Sequence, residues 1–169
     1  GFREDQVISA QHLCNGPNHF GLLVDSLETV LQLQPDLGAL GTLLPAIGVT
    51  GVGLAHVDRA QPASNLIARS NREARAFAQE RASITQDPTD LEVRAFAAPM
   101  GIHEDPVTGS LNASLAQWLI AEGCMPPSYV ASQGAALGRA GRVLISQDAS
   151  GQVWVGGHTV TCITGQVVL

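Results

Sequence analysis

Lysine is missing from this chain: its 9 basic residues are all arginine, set against 15 acidic ones, for a formal charge of −6. No basic stripe is left to neutralise a phosphate backbone, so nucleic-acid binding is disfavoured. Charge of either sign is scarce, at 14% of 169 residues, where about 25% is usual. That excludes a highly charged disordered segment and a charge-laced coiled coil. No apolar run reaches the roughly 18 residues of a membrane span, and the polar start Gly1-Phe2-Arg3-Glu4-Asp5 is no signal peptide. The expectation is a soluble, cytoplasmic protein with no membrane partner. Cysteine is limited to Cys14, Cys124 and Cys162, an odd count with no CxxC, which excludes a disulfide framework and a zinc knuckle. All three are expected as buried free thiols. Repeats, low-complexity blocks and Gly/Ser/Pro linkers are also lacking, so residues 1–169 are expected to form a single domain. The first residue is Gly, not Met, so the expectation is a chosen boundary, a processed product or a fragment of something longer.

What is present is 45% hydrophobic residues, enough for a substantial core. Residues 7–13 and 19–25 read as strands around the turn cluster Cys14-Asn15-Gly16-Pro17-Asn18. Ser26 caps a helix running to Leu33, and a second helix follows over 36–44. Residues 49–57, 65–70 and 91–96 are strand candidates, the last with period-two alternation, while 71–81 is a surface helix or a polar excursion. The last third is β-rich, with short strands at 129–133, 142–147, 152–155, 160–163 and 166–169. Between them, residues 110–122 form a helix ended by Gly123. On a helical wheel Asn112, Ser114, Gln117 and Glu122 fall on separate bearings, leaving no contiguous polar face. Such a helix is enclosed. The fold class expected is α+β, a mixed β-barrel wrapped around a central buried helix.

The segment Gly101-Ile102-His103-Glu104-Asp105-Pro106-Val107-Thr108-Gly109-Ser110 stands at the mouth of that helix. The Thr108, Gly109 and Ser110 amides would carry the positive end of its dipole with no intrahelical acceptor, a natural seat for a carboxylate. Gly109 lets a ligand come close. Asp105 is able to shuttle a proton or orient an amine or hydroxyl, and Ser110 to donate to an anionic group. The same residues also have a purely structural explanation, with Asp105 as helix N-cap, Pro106 at the first helical position, and Ser or Thr as further caps. Residue chemistry leaves both open. Gly109-Ser110 lacks the G-x-S-x-G frame of a hydrolase elbow. Gly48-Val49-Thr50-Gly51-Val52-Gly53 lacks G-x-G-x-x-G order and leads into a strand, so its glycines are for packing. His12, His19, His56, His103 and His158 include no i, i+4 pair, so no metal site is expected, and Trp118 is expected in the core.

Glu104-Asp105-Pro106-Val107-Thr108-Gly109-Ser110 resembles the signature of the PhzF-like, phenazine-biosynthesis-like isomerases, relatives of diaminopimelate epimerase. Val93-Arg94-Ala95-Phe96 ahead of it matches in order, as do Ser132-Gln133-Gly134, Gly138-Arg139, Val155-Gly156-Gly157-His158 and Gly165-Gln166-Val167. The resemblance implies two pseudo-symmetric halves, each a barrel around a central helix, with the active site in the cleft between them. It implies that Asp105 and Ser110 are catalytic positions, and that Thr108, Gly109, Gln133 and Gly134 belong to the substrate-binding surface. It further implies proton transfer on a small carboxylic acid, with neither cofactor nor metal. The chain resembles the C-terminal half only, without the half that bears the acidic base and a catalytic His. Its expected partners are therefore an N-terminal half domain, in the same original polypeptide or a separate chain, and a second copy in a homo-oligomer. The alternative is a non-catalytic carboxylate-binding or interaction module that keeps the fold.

Overall fold

A computed structural model describes residues 1–58 and 89–168. The expected elements at 65–70 and 71–81 lie outside those residues. A 3-10 turn over Glu4–Gln6 leads into strand β1 (Val7–Cys14), which returns as β2 (Asn18–Val24). Ser26 then caps α1 (Leu27–Gln32), its side-chain oxygen accepting from the Thr29 amide at 3.1 Å. Asp36 does the same for α2 (Leu37–Ala46), accepting from Ala39 at 2.9 Å. Strands β3 (Gly51–Val57), β4 (Leu91–Ala97) and β5 (Ile102–Asp105) precede α3 (Gly109–Ala121), and β6 (Ser128–Gln133), β7 (Gly141–Gln147) and β8 (Val153–Gly156) follow it.

The strands form one mixed sheet in the order β1-β2-β3-β4-β6-β7-β8, with β5 paired to β4 off this path. Pairing is parallel between β2 and β3 and between β4 and β6, and antiparallel elsewhere. The path is open at β1 and β8, so the described sheet is a half-barrel of an α+β fold and not a closed ring. Helix α3 lies against strands from both ends of it, β1 on one side and β7 and β8 on the other.

Two cores fill the two faces of the central strands. On one, Leu111, Leu115, Ala116 and Leu119 of α3 meet Ala55, Leu91, Val93 and Ala131. On the other, Val30, Leu33 and Leu44 from the α1–α2 region meet Val52, Leu54 and Phe96. Strand β4 is therefore buried on both faces, polar Glu92 and Arg94 included. Its alternation reflects two different cores and no solvent face. The glycine-spaced strand behaves as expected: a Cβ on Gly53 would sit 2.6 Å from the Leu111 side chain, so the missing side chain lets α3 settle on β3.

Helix α3 ends at Ala121 with Glu122 as its C-cap, Gly123 left-handed (φ 68°) and the Cys124 amide bonded back to the Leu119 carbonyl at 2.8 Å. Asn112 and Ser114 are buried while Gln117 and Glu122 face solvent, and Trp118 is half-buried against the core. The buried hydroxyl of Ser114 donates to the Ser110 and Leu111 carbonyls, which is how a polar residue is tolerated there.

Two expectations are corrected. The runs at 160–163 and 166–168 are not strands in the described chain: no backbone hydrogen bond ties them to a neighbouring strand, and residue 169 lies outside the described residues. The thiols are free but not all buried: Cys14, at the end of edge strand β1, and Cys162, in the unpaired terminal stretch, are exposed, and Cys124 is intermediate.

Candidate active site

Helix α3 begins at Gly109, and its N-cap is Thr108, in extended backbone with no side-chain cap bond. Asp105 lies three residues earlier, as the last residue of β5. Its carboxylate receives no helix amide, and Pro106 is not the first helical residue, so the capping explanation of Asp105 does not hold. Instead Asp105 Oδ2 accepts the Thr108 hydroxyl at 2.8 Å.

Gln133 closes the structure from behind. Its side chain is fully buried. Oε1 accepts from the Thr108 amide at 3.1 Å and from Asn112 Nδ2 at 2.7 Å, while Nε2 donates to the Asp105 carbonyl at 2.9 Å and to Thr108 Oγ1 at 3.0 Å. All four bonding positions of the amide are thus used within the protein. Gly134, left-handed at φ 92°, presses on the same loop: a Cβ there would stand 2.7 Å from the Pro106 carbonyl oxygen. In this geometry Gln133 and Gly134 shape the loop from its inner side, and the Thr108 amide is spent on Gln133 and is not open to an anion.

What stays open is smaller than the sequence suggested. Among the described residues the Gly109 and Ser110 amides have no hydrogen-bond acceptor, and neither Asp105 Oδ1 nor the Ser110 hydroxyl has a partner. A Cβ on Gly109 would meet nothing within 4 Å, so the approach to these amides is clear. Two amides at the positive end of a 13-residue helix, a hydroxyl and one carboxylate oxygen can together hold an anion and move a proton.

Sequence reading missed Arg94 and Asn112. Arg94 on β4 forms a two-pronged ion pair with Glu104 of β5, Nε to Oε1 at 2.9 Å and Nη2 to Oε2 at 2.7 Å. Its Nη1 donates to the Val30 and Leu33 carbonyls at 2.9 and 2.8 Å, covering the C-terminal end of α1, and its guanidinium lies over Phe96. The residue preceding Asp105 is thereby anchored to two elements. An arginine at the centre of a mostly apolar strand was the available signal. Asn112 Nδ2 also donates to the Thr108 carbonyl, at 2.9 Å, and its buried Oδ1 has no partner among the described residues.

Two open clefts, of about 440 and 400 Å³, lie elsewhere on the surface; the second is lined by Arg94, Phe96, His103 and Glu104, and neither includes Asp105 or Ser110. Among the described residues no group of three or more His, Cys, Asp or Glu is placed to hold a metal ion, and no helix is long and apolar enough to cross a membrane.

The backbone is similar to that of a phenazine biosynthesis PhzF-family protein of Enterococcus faecalis (TM-score 0.55, 19% identity, covering 90% of this chain and 46% of that one). It is also similar to a predicted epimerase of Pseudomonas aeruginosa (TM-score 0.52, 24% identity, 85% and 39%). In sequence it is 27% identical over 127 residues to an uncharacterized isomerase of Clostridium acetobutylicum, covering 69% of this chain and 42% of the relative. The chain thus spans less than half the length of each of these relatives. Residues 3–165 match the family profile of the phenazine biosynthesis-like proteins, and the chain belongs to that family.

Proposed function

We propose that this chain supplies one wall of an isomerase or epimerase site that moves a proton on a small carboxylic acid, using side-chain acid–base chemistry without cofactor or metal. One observation carries the reading: at the mouth of α3 Asp105 Oδ1, the Ser110 hydroxyl and the Gly109 and Ser110 amides have no partner among the described residues, while Asp105 Oδ2, the Thr108 amide and hydroxyl and the Gln133 amide are bonded to one another. The amides and Ser110 hold the substrate carboxylate, and Asp105 gives or takes a proton at the neighbouring carbon. The opposing base comes from a second half domain, in the same polypeptide or another, docked across the mouth of α3. Helix α3 is then the central helix of a barrel, and the relatives' greater length is consistent with such a second half. We place the reaction in the cytoplasm and expect association with that half or with another copy of this chain.

The test is proton–deuterium exchange: small carboxylic acids are incubated in D2O with the 169-residue chain, alone or joined to the additional half. Loss of a C–H signal with the longer protein and none with the chain alone is expected. Turnover by the purified chain alone overturns the proposal of an incomplete site, and carboxylate binding without exchange by either form identifies a binding module instead.

A further inference from the structure

We propose that Gln133 is a positioning residue that aims the Thr108 hydroxyl proton at Asp105 Oδ2, so that Asp105 acts through Oδ1 alone. This rests on the reading that Asp105 meets a ligand, but its geometry stands apart from any substrate.

The partners of the Gln133 amide fix its orientation. Oxygen and nitrogen of a glutamine amide are told apart by their partners. Here one end faces the Thr108 N–H, which only donates, and the other faces the Asp105 carbonyl, which only accepts. A flipped amide would set donor against donor and oxygen against oxygen, so Oε1 lies toward Thr108 N and Nε2 toward Asp105 O. The second Nε2 proton then points at Thr108 Oγ1, 3.0 Å away. That oxygen receives a proton from Gln133 and has one of its own to give. The acceptor it meets is Asp105 Oδ2, at 2.8 Å. The donor sequence thus has one sense, from Gln133 through Thr108 to Asp105.

Burial makes this sense durable. Gln133 has no exposed surface, so water does not compete for its amide, and Asn112 occupies the remaining lone pair of Oε1. Glycine at 134 and at 141 keeps the strand end tight on the loop; a Cβ on Gly141 would come within 2.6 Å of Val107 Cγ2. The outcome is a carboxylate with one oxygen engaged and one presented. A group that must deliver a proton to one carbon gains from a fixed direction of attack.

The test uses the isotope-labelled 169-residue chain and needs no substrate. Through-hydrogen-bond NMR couplings are expected between the Thr108 amide nitrogen and the Gln133 side-chain carbonyl carbon, and between Gln133 Nε2 and the Asp105 carbonyl carbon. The Asp105 carboxyl carbon resonance is expected to move in Thr108→Val, to return in Thr108→Ser, and to move in Gln133→Glu, which keeps the shape but turns the donor into an acceptor. An Asp105 resonance that stays put in folded Thr108→Val, or absence of both couplings in the wild-type chain, overturns the proposal. Failure of every carboxylate to exchange would sink the proposed reaction and leave these readouts untouched, so the two fail separately.

Discussion

Replacing Asp105 by Asn keeps an oxygen that the Thr108 hydroxyl can reach while removing the titratable group. Because Asp105 caps no helix, the melting temperature should hardly change. Turnover of the complete protein should fall by about 10²-fold or more, the scale of lost acid–base help; full activity of the variant would refute the role. Tyr129 presents the opposite case, a buried phenol whose hydroxyl has no partner among the described residues and whose pKa is pushed up by burial and by the charge of Asp90. Tyr129→Phe leaves out a polar atom that burial penalises, so denaturant titration should show equal or greater stability. His19 is buried too, and burial lowers its pKa below the ordinary 6.5. Below about pH 6.5 the unfolded chain binds a proton there that the folded chain refuses, so stability is present above that pH and lost as pH falls through it. Urea midpoints taken down from pH 7.5 should decline through this window, and His19→Gln should flatten the decline. At this scale the position of Asp105 and Ser110 at a helix mouth was legible. The work of Gln133 was not, since saturation of its amide depends on Asn112, Thr108 and Asp105 converging from two other elements.

Arg94 shows what the elements do to one another, joining β4 to β5 through Glu104 and β4 to α1 through backbone carbonyls. Its side chain and that of Glu104 are 5% and 10% exposed, so neither charge is met by water when the other is removed. Arg94→Met should therefore cost about 3–5 kcal/mol in urea unfolding, and pairing it with Glu104→Leu should recover much of the loss. A single variant as stable as the wild type would show that the pair holds nothing. The capped helices α1 and α2 were readable because their signals are local, in Ser26 and Asp36. The ends of α3 were readable to within a residue for the same reason, with Gly123 as stop. Strand β4 was found but its surroundings were not legible, because period two does not say whether the second face meets solvent or a second core.

For the whole molecule, the terminal runs at 160–163 and 166–168 carry strong β propensity and still form no strand among the described residues, since propensity describes what fits a sheet and pairing requires a neighbouring edge. Val160, Ile163 and Val168 are 85, 90 and 97% exposed as a result. Ile8 on β1 and Trp154 on β8 are exposed at the two open ends of the sheet. Unpaired edges with apolar side chains beside them are sites where another chain or domain adds on. The proposed second half would cover such surface, and a second copy of this chain can meet it when that half is absent. Sedimentation velocity over a wide concentration range should show dimers or larger species of the 169-residue chain, reduced when the additional half is supplied. A chain that stays monomeric at the highest concentration would mean that these residues need no cover, and would count against a docked second half.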